Sequence, residues 1–301
     1  MLFSMAETRL AVAVVNYRTP KLTLECLGLV LAAAPHADVR LVDTDPTATF
    51  EREITAAYPA VTYVPCANHS YAHAVNTGLA DADTDYLALM NADVMVSART
   101  FTDLTGALAS DPGAGAAGPL PKDESGRPQS LGVWYGRHYR ALARRAQATR
   151  GSRGPASVVV PWLSGCLHLI RRADWLALGG YDETFRFWNE DLDFGLRLAA
   201  TGRHSLLVDS PVVHLGGSST PAHPAFGVEG RRGGLIVGRR HYPAALYALQ
   251  RGLVGLEAAG RSVLGRSPGE RAAQAELLRM ARTGDLSTSP FGATLDDRPE
   301  W

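Results

Sequence analysis

The stretch "RLAVAVVNYRTPKLTLECLGLVLAA", residues 9–33, sets the architecture. Its opening "RLAVAVV" (9–15) is short, rich in valine and unbroken by polar residues, which fits a strand covered on both faces in a parallel sheet. A helix follows, with Thr19 as N-cap and Pro20 at the first helical position. The same pair of patterns then repeats. "VRLVDTD" reads as a strand, "ATFEREITAAY" as a helix, "VTYVPC" as a strand, "SYAHAVNTGLAD" as a helix and "DYLALMNAD" as a strand. Strands alternating with helices of about a dozen residues indicate an α/β domain with a parallel sheet.

In such sheets ligands collect at the carboxyl ends of the strands. Those tails carry Asn16 and Tyr17, then Asp43 with Asp45, then Asn68, then Asn91 with Asp93. Asp93 stands out because it interrupts the apolar run "YLALMNADVMV" (86–96) without ending it. Taken singly, each residue also has a structural reading, since Asp and Asn bond to turns and cap helices.

With 301 residues, 46% of them hydrophobic, the chain can bury a large core, in one domain or a domain plus an appendage. Lys plus Arg and Asp plus Glu balance at 30 each, so no global field favours nucleic acid, and a nucleic-acid partner is not expected. Cys26, Cys66 and Cys166 are an odd number outside any metal-ligand spacing and read as reduced, buried thiols of a cytoplasmic protein. No apolar segment reaches the roughly 18–20 residues a bilayer requires. The N-terminal "MLFSMAETRLAVAVVNY" is a poor signal peptide.

The texture changes from 111 to 160, where "DPGAGAAGPLPKDESGRPQS" is rich in Gly and Pro and "GRHYRALARRAQATRGSRG" is basic, reading as a loop or exposed helix whose arginines either face solvent or meet phosphate. Dense patterning then returns: a strand through "CLHLI", a short helix at "RADWLALG", a helix from about Glu190 to Thr201 closed by Gly202, and a strand "SLLVDSPVVHL". Glu190, Asp191 and Asp193 crowd the start of that second helix, more acid than capping needs. Like charges so close push their pKa values apart, which suits a general base. His214 ends the last strand, and imidazole with carboxylate makes a good donor set for Mn²⁺.

Taken together, the ordered series "VAVVNYRTPKLTLECL", "VDTDPT", "NHSYAHAVNTGL", "DYLALMNADV", "GAGAAGPL", "WLSGCLHLIRR", "LGGYDETFRFWNEDLDFGLRL" and "VVHLGGSS" resembles glycosyltransferase family 2, in its bacterial rhamnosyltransferase-like branch. The resemblance covers residues from about 10 to about 220. It implies a GT-A fold, a Rossmann-like, mostly parallel sheet flanked by helices. Residues 1–225 would form the transferase domain, 1–110 as its nucleotide-sugar half and 111–225 as its acceptor half. A helical extension over 226–285 and a disordered tail over 286–301 would follow.

The resemblance also implies roles. Asp93 would hold Mg²⁺ or Mn²⁺ against the donor's diphosphate, with His214 completing the metal shell. Asn16, Tyr17, Asp43, Asn68, Asn76 and Asn91 would line the nucleotide-sugar pocket, while Trp162, Gly165 and Trp188 would lie on the acceptor side. Asp191 would be the catalytic base, with Glu190 beside it. The implied reaction is inverting, metal-dependent transfer of a hexose or deoxyhexose from a UDP- or dTDP-sugar to a saccharide, lipid-linked or small-molecule acceptor.

Three positions depart from the family pattern. "VDTDPT" lacks an asparagine, Ser70 stands where glycine is usual, so that this loop must adopt a different backbone or avoid positive φ, and Ala92 with Asn91 leaves one carboxylate in the metal triplet. The first two departures motivate the competing reading, a non-catalytic nucleotide-sugar-binding protein. A dinucleotide-dependent oxidoreductase is disfavoured because no G-x-G-x-x-G follows the first strand. Beyond 227, arginines interleave with Leu246, Leu249, Leu253 and Leu256. This is either a helix lying on a membrane or an amphipathic helix packed on the domain or in a homodimer interface.

Overall fold

The computed structural model describes residues 9–129, 155–216, 222–265 and 267–300. The basic stretch 136–154, read above as a loop or helix, lies outside the described residues. The described residues form two compact units, the first from 9–66, 74–181 and 194–216, the second from 67–73, 182–193 and 222–300.

The first unit begins as its sequence dictates: β1 (Leu10–Asn16), α1 (Pro20–Ala33), β2 (Asp38–Asp43), α2 (Ala48–Ala57), β3 (Thr62–Pro65), α3 (Tyr71–Leu79) and β4 (Tyr86–Asn91). The division between the units cuts α3 and also the later helix Glu190–Ala200, and the first turn of each belongs to the second. Then come β5 (Val94–Met95), α4 (Thr100–Ser110), β6 (Ala114–Lys122), β7 (Ser157–Val160), β8 (Leu167–Arg171), α5 (Arg172–Leu178), α6 (Glu190–Ala200) and β9 (His204–His214). The strand order is β3-β2-β1-β4-β8-β6-β9-β5, with β7 also on β9. The first four of these are parallel, while β8 runs antiparallel to both β4 and β6. Leu10 to Val14 are buried throughout, as an all-apolar strand requires. Val12, Val14, Leu41 and Met90 share one core cluster with Leu27 and Ile54 of the covering helices. Each such side chain contributes roughly 1.5–3 kcal/mol by leaving water.

One reading is corrected, and one strand stands where only a Gly/Pro-rich texture was read. Helix α1 does start at Pro20, but Thr19 caps nothing with its side chain. Instead Asn16 Oδ1 accepts from the Thr19 amide (3.2 Å), the Thr19 hydroxyl (2.9 Å) and the Thr23 hydroxyl (2.8 Å), so the tail of β1 ties down the helix that follows. The Gly/Pro-rich "AGAAGPLPK" is a strand, β6, buried along eight of its nine residues. Small residues hide its β character from propensity, yet packing demands them: a Cβ at Gly118 would sit 2.9 Å from Leu163. Its prolines flank a register shift between Pro119 and Leu120, where a lost ladder hydrogen bond costs least.

The second unit holds α7 (Pro224–His241), α8 (Ala244–Leu264) and α9 (Pro268–Thr283). It also takes in 67–73 and 182–193, which the sequence had assigned to the transferase domain. A buried pair explains part of this. Arg232 binds Glu229 at 2.7 Å and donates to the Thr184 and Leu286 carbonyls, while Glu229 accepts from Arg186 N and the Ser289 hydroxyl. Such a pair is stable indoors only when its remaining donors and acceptors are satisfied, and here backbone from two segments satisfies them. The expected disordered tail is therefore placed: Leu286, Phe291 and Leu295 are buried, and Leu295 N donates to the Asn68 carbonyl at 2.8 Å.

Candidate active site

In the first unit the parallel strands bring their polar tails side by side. Asn16 is in register with Asp43, and Val15 with Asn91. Asn16 Nδ2 donates to Asp43 Oδ1 at 2.8 Å, and the Tyr63 hydroxyl donates to the other Asp43 oxygen. Both Asn16 and Asp43 are buried, so their side chains chiefly weld β1, β2 and α1 together. Burial and the adjoining Asp43 charge raise the Tyr63 phenol, keeping that bond in place at any working pH. Nearer solvent, Arg18 adopts a left-handed conformation (φ 55°), stacks on Tyr17 at 4.9 Å and pairs with Asp45 at 2.9 Å.

Asp93 follows β4 and is only 7% exposed. Its backbone carbonyl accepts from Leu215 N, and the bridge Val94↔His214 draws His214 alongside. His214 Nε2 lies 3.4 Å from Asp93 Oδ1, and that oxygen has no hydrogen-bond partner among the described residues. A buried carboxylate oxygen left without a donor is costly unless a cation is meant to meet it.

The histidine is held for the same purpose. Gln129 Nε2 donates to the His214 carbonyl (2.7 Å), which points Gln129 Oε1 at His214 Nδ1, also 2.7 Å. The proton of the neutral ring thus sits on Nδ1, and the Nε2 lone pair faces Asp93. Hard carboxylate oxygen and imidazole nitrogen suit Mn²⁺ or Mg²⁺. No cluster of three or more ligating side chains occurs among the described residues, so a cation here would draw further ligands from water and a bound diphosphate. Cys26 packs close by, but burial first and the Asp93 charge second hold its thiol protonated.

Gln129 escaped the sequence reading because it lies 85 residues from His214, in a segment without periodicity. Replacing it with leucine is expected to weaken Mn²⁺ binding about tenfold to a hundredfold. The readout is the Mn²⁺ concentration needed for a nucleoside diphosphate to raise the melting temperature, and the metal-free melting temperature should stay put.

Other expected pocket residues prove occupied. Asn76 clasps the Tyr181 backbone, accepting from its amide (3.0 Å) and donating to its carbonyl (2.9 Å). Trp162 packs on Gly195, where a Cβ would come within 2.7 Å of it, and Gly165 lies in the turn just before β8.

In the second unit Asn68 donates to Asp296 at 3.2 Å. Ser70, lacking positive φ as expected, accepts from His73 N and so caps α3. The three acids of α6 separate by environment. Asp193 is fully buried and holds His241 at 2.8 Å and Arg240 at 3.4 Å. Glu190 is buried too, and burial, then the Asp191 charge, push its carboxyl up to about 8. Asp191 alone is part-exposed, its Oδ1 accepting from Leu192 N at 2.8 Å. Just before them Trp188 and Asn189 both take positive φ, 63° and 73°, a strain of on the order of 1–3 kcal/mol each. Asn189 Nδ2 bonds the Gly230 carbonyl (3.0 Å), and Gly230 has no Cβ to strike the Trp188 ring, which is left 52% exposed.

Glu190 makes stability depend on pH. The carboxyl ionises near 4.5 when unfolded and near 8 when folded, so the folded state binds the extra proton in between and loses stability as pH rises across that window. Glu190→Gln is expected to gain on the wild type by on the order of 3 kcal/mol between pH 5 and pH 8, read by urea melts at both pH values.

Comparison with known proteins agrees with this layout. The pattern of the family described as "Glycosyltransferase like family 2" matches residues 8–225. The chain belongs to that family. It is a glycosyltransferase. It is 31% identical over 250 residues to the N-acetylglucosaminyl-diphospho-decaprenol L-rhamnosyltransferase of Mycobacterium tuberculosis, in strains CDC 1551 / Oshkosh and ATCC 25618 / H37Rv alike. The match covers 73% of this chain and 80% of the relative. Two solved glycosyltransferases share the fold. The mannosyltransferase PcManGT from Pyrobaculum calidifontis, in complex with GDP-Man and Mn²⁺, superposes with a TM-score of 0.56 at 18% identity, over 92% of this chain and 76% of its own. GalNAc-T7 with UDP, GalNAc and Mn²⁺ gives 0.60 at 13% identity, over 91% of this chain and 56% of its own.

Proposed function

We propose that this glycosyltransferase moves a deoxyhexose, L-rhamnose in the first instance, from a UDP- or dTDP-sugar to a hydroxyl of a lipid-diphosphate-linked saccharide, with inversion and with a divalent cation bound. The sugar and the acceptor follow the Mycobacterium tuberculosis relative. The observation that carries the metal-dependent donor step is the unpartnered, buried Asp93 Oδ1 set against His214 Nε2.

Asp93 and His214 would hold Mg²⁺ or Mn²⁺. Bound there, the cation would supply Lewis-acid stabilisation of the charge left on the departing nucleoside diphosphate. Gln129 keeps His214 in the ligating tautomer. Tyr17 and Arg18 offer a planar, cationic surface to the base and phosphates. Inversion needs one base to take the acceptor's hydroxyl proton and no covalent nucleophile, and Asp191 is that base. Glu190, held protonated at neutral pH, adds no second negative charge beside it. Trp188, exposed and braced, gives the acceptor sugar an aromatic face.

The deciding experiment is a thermal-shift panel of nucleoside diphosphates and their sugars, with and without Mn²⁺. Stabilisation by a UDP or dTDP compound only with metal supports the reading. No shift with any member sinks it.

A further inference from the structure

Helix α8 has apolar residues on two faces. Val254 and Ala258 are buried on one. On the other, Leu246, Leu249, Leu253 and Leu256 form a row at helical spacing, 48%, 58%, 58% and 74% exposed. The remaining exposed positions from 243 to 260 are proline, alanine and glycine, so no exposed side chain in that stretch is polar. Val263 and Leu264 extend the row, 76% and 83% exposed. A contiguous apolar stripe of this kind marks a surface meant to be covered.

The surrounding charge indicates the cover. Helices α7 to α9 carry nine arginines against four glutamates, with no lysine or aspartate. The one acid of α8, Glu257, is held by Arg231 at 2.9 Å and Arg261 at 3.1 Å. Arg232 is buried on Glu229, and Arg240 and Arg279 are paired with acids, but Arg239, Arg261 and Arg282 are exposed; such guanidinium groups would repel a second copy brought face to face and suit phosphate head groups, which arginine binds in bidentate fashion. No described helix is long and apolar enough to cross a membrane.

We propose that α8 lies in the plane of an anionic membrane surface, its leucine row in the acyl boundary and exposed arginines such as Arg239, Arg261 and Arg282 among the head groups. The inference extends the reading of a lipid-linked acceptor, whose tail stays in a bilayer, but it stands on the exposed row itself.

The test is flotation of the full chain with vesicles of phosphatidylcholine alone and of phosphatidylcholine with phosphatidylglycerol, at low and high salt. The comparison is a triple variant, Leu249→Gln, Leu253→Gln and Leu256→Gln. Wild-type protein should float with the anionic vesicles, less so in high salt, and the variant should lose binding about tenfold or more. Melting temperature and the Mn²⁺-dependent nucleotide shift, measured on the same variant, report folding and donor binding separately. A protein that floats but responds to no nucleotide refutes the donor reading and leaves the membrane face standing. Absent flotation, or equal flotation of the variant, overturns the membrane face, as does a wild-type dimer that ignores vesicles and dissociates in the variant.

Discussion

Asp93→Ala should abolish metal-dependent donor binding and leave the protein no less stable without metal. The two halves of that expectation have one cause. The carboxylate is almost fully buried, one oxygen accepts no hydrogen bond among the described residues, and the Nε2 edge of His214 lies 3.4 Å from it. Burying a charge in that condition costs free energy that a cation would return. Alanine removes the cost together with the ligand. In Mn²⁺ the dissociation constant for the nucleoside diphosphate should rise about a hundredfold or more, near 2.8 kcal/mol, while the metal-free melting temperature holds or climbs. A structural aspartate would behave in the opposite way: metal-free stability would drop and the metal-dependent shift would survive. Calorimetric titration with and without Mn²⁺, beside a thermal melt, separates the two.

The parallel half of the sheet was legible because both-face burial writes itself as unbroken valine-rich runs, and β1 to β4 fall within about a residue or two of the expected segments. Strand β6 was not legible. Its alanines, glycines and prolines carry no strand propensity, and their placement answers to Leu163 and Leu198, far away in sequence, and to a register shift against β9. The candidate site divides along the same line. Asp93 and His214 could be picked out as polar breaks at the ends of apolar strands, and a β-bridge does bring them together. Gln129, which fixes the histidine, could not, since nothing local ties a loop glutamine to a strand end 85 residues on. Asn16 and Asn76 were visible as polar residues in the right places, but their side chains hold β1 to α1 and α3 to the Tyr181 backbone. The tail was misread because composition alone could not reveal the Glu229–Arg232 pair that receives Leu286 and Ser289.

Asp191→Asn should lower kcat by about three orders of magnitude, within the range for loss of a general base, while nucleotide-sugar affinity stays at the wild-type value. Of the three acids on the first turn of α6, Asp193 is committed to Arg240 and His241, and Glu190 is buried and protonated at neutral pH. Asp191 is the part-exposed one, and asparagine there preserves the shape and the oxygen that accepts from Leu192 N. What the substitution removes is the capacity to take a proton from an acceptor hydroxyl. The acidic limb of the kcat profile should therefore vanish in the variant, a change that mere misplacement of α6 would not produce. Glu190→Gln, in contrast, should retain transfer, because the neutral amide resembles the protonated acid already present at pH 7. If Asp191→Asn keeps more than about a tenth of the wild-type rate with its pH profile unchanged, Asp191 is not the base.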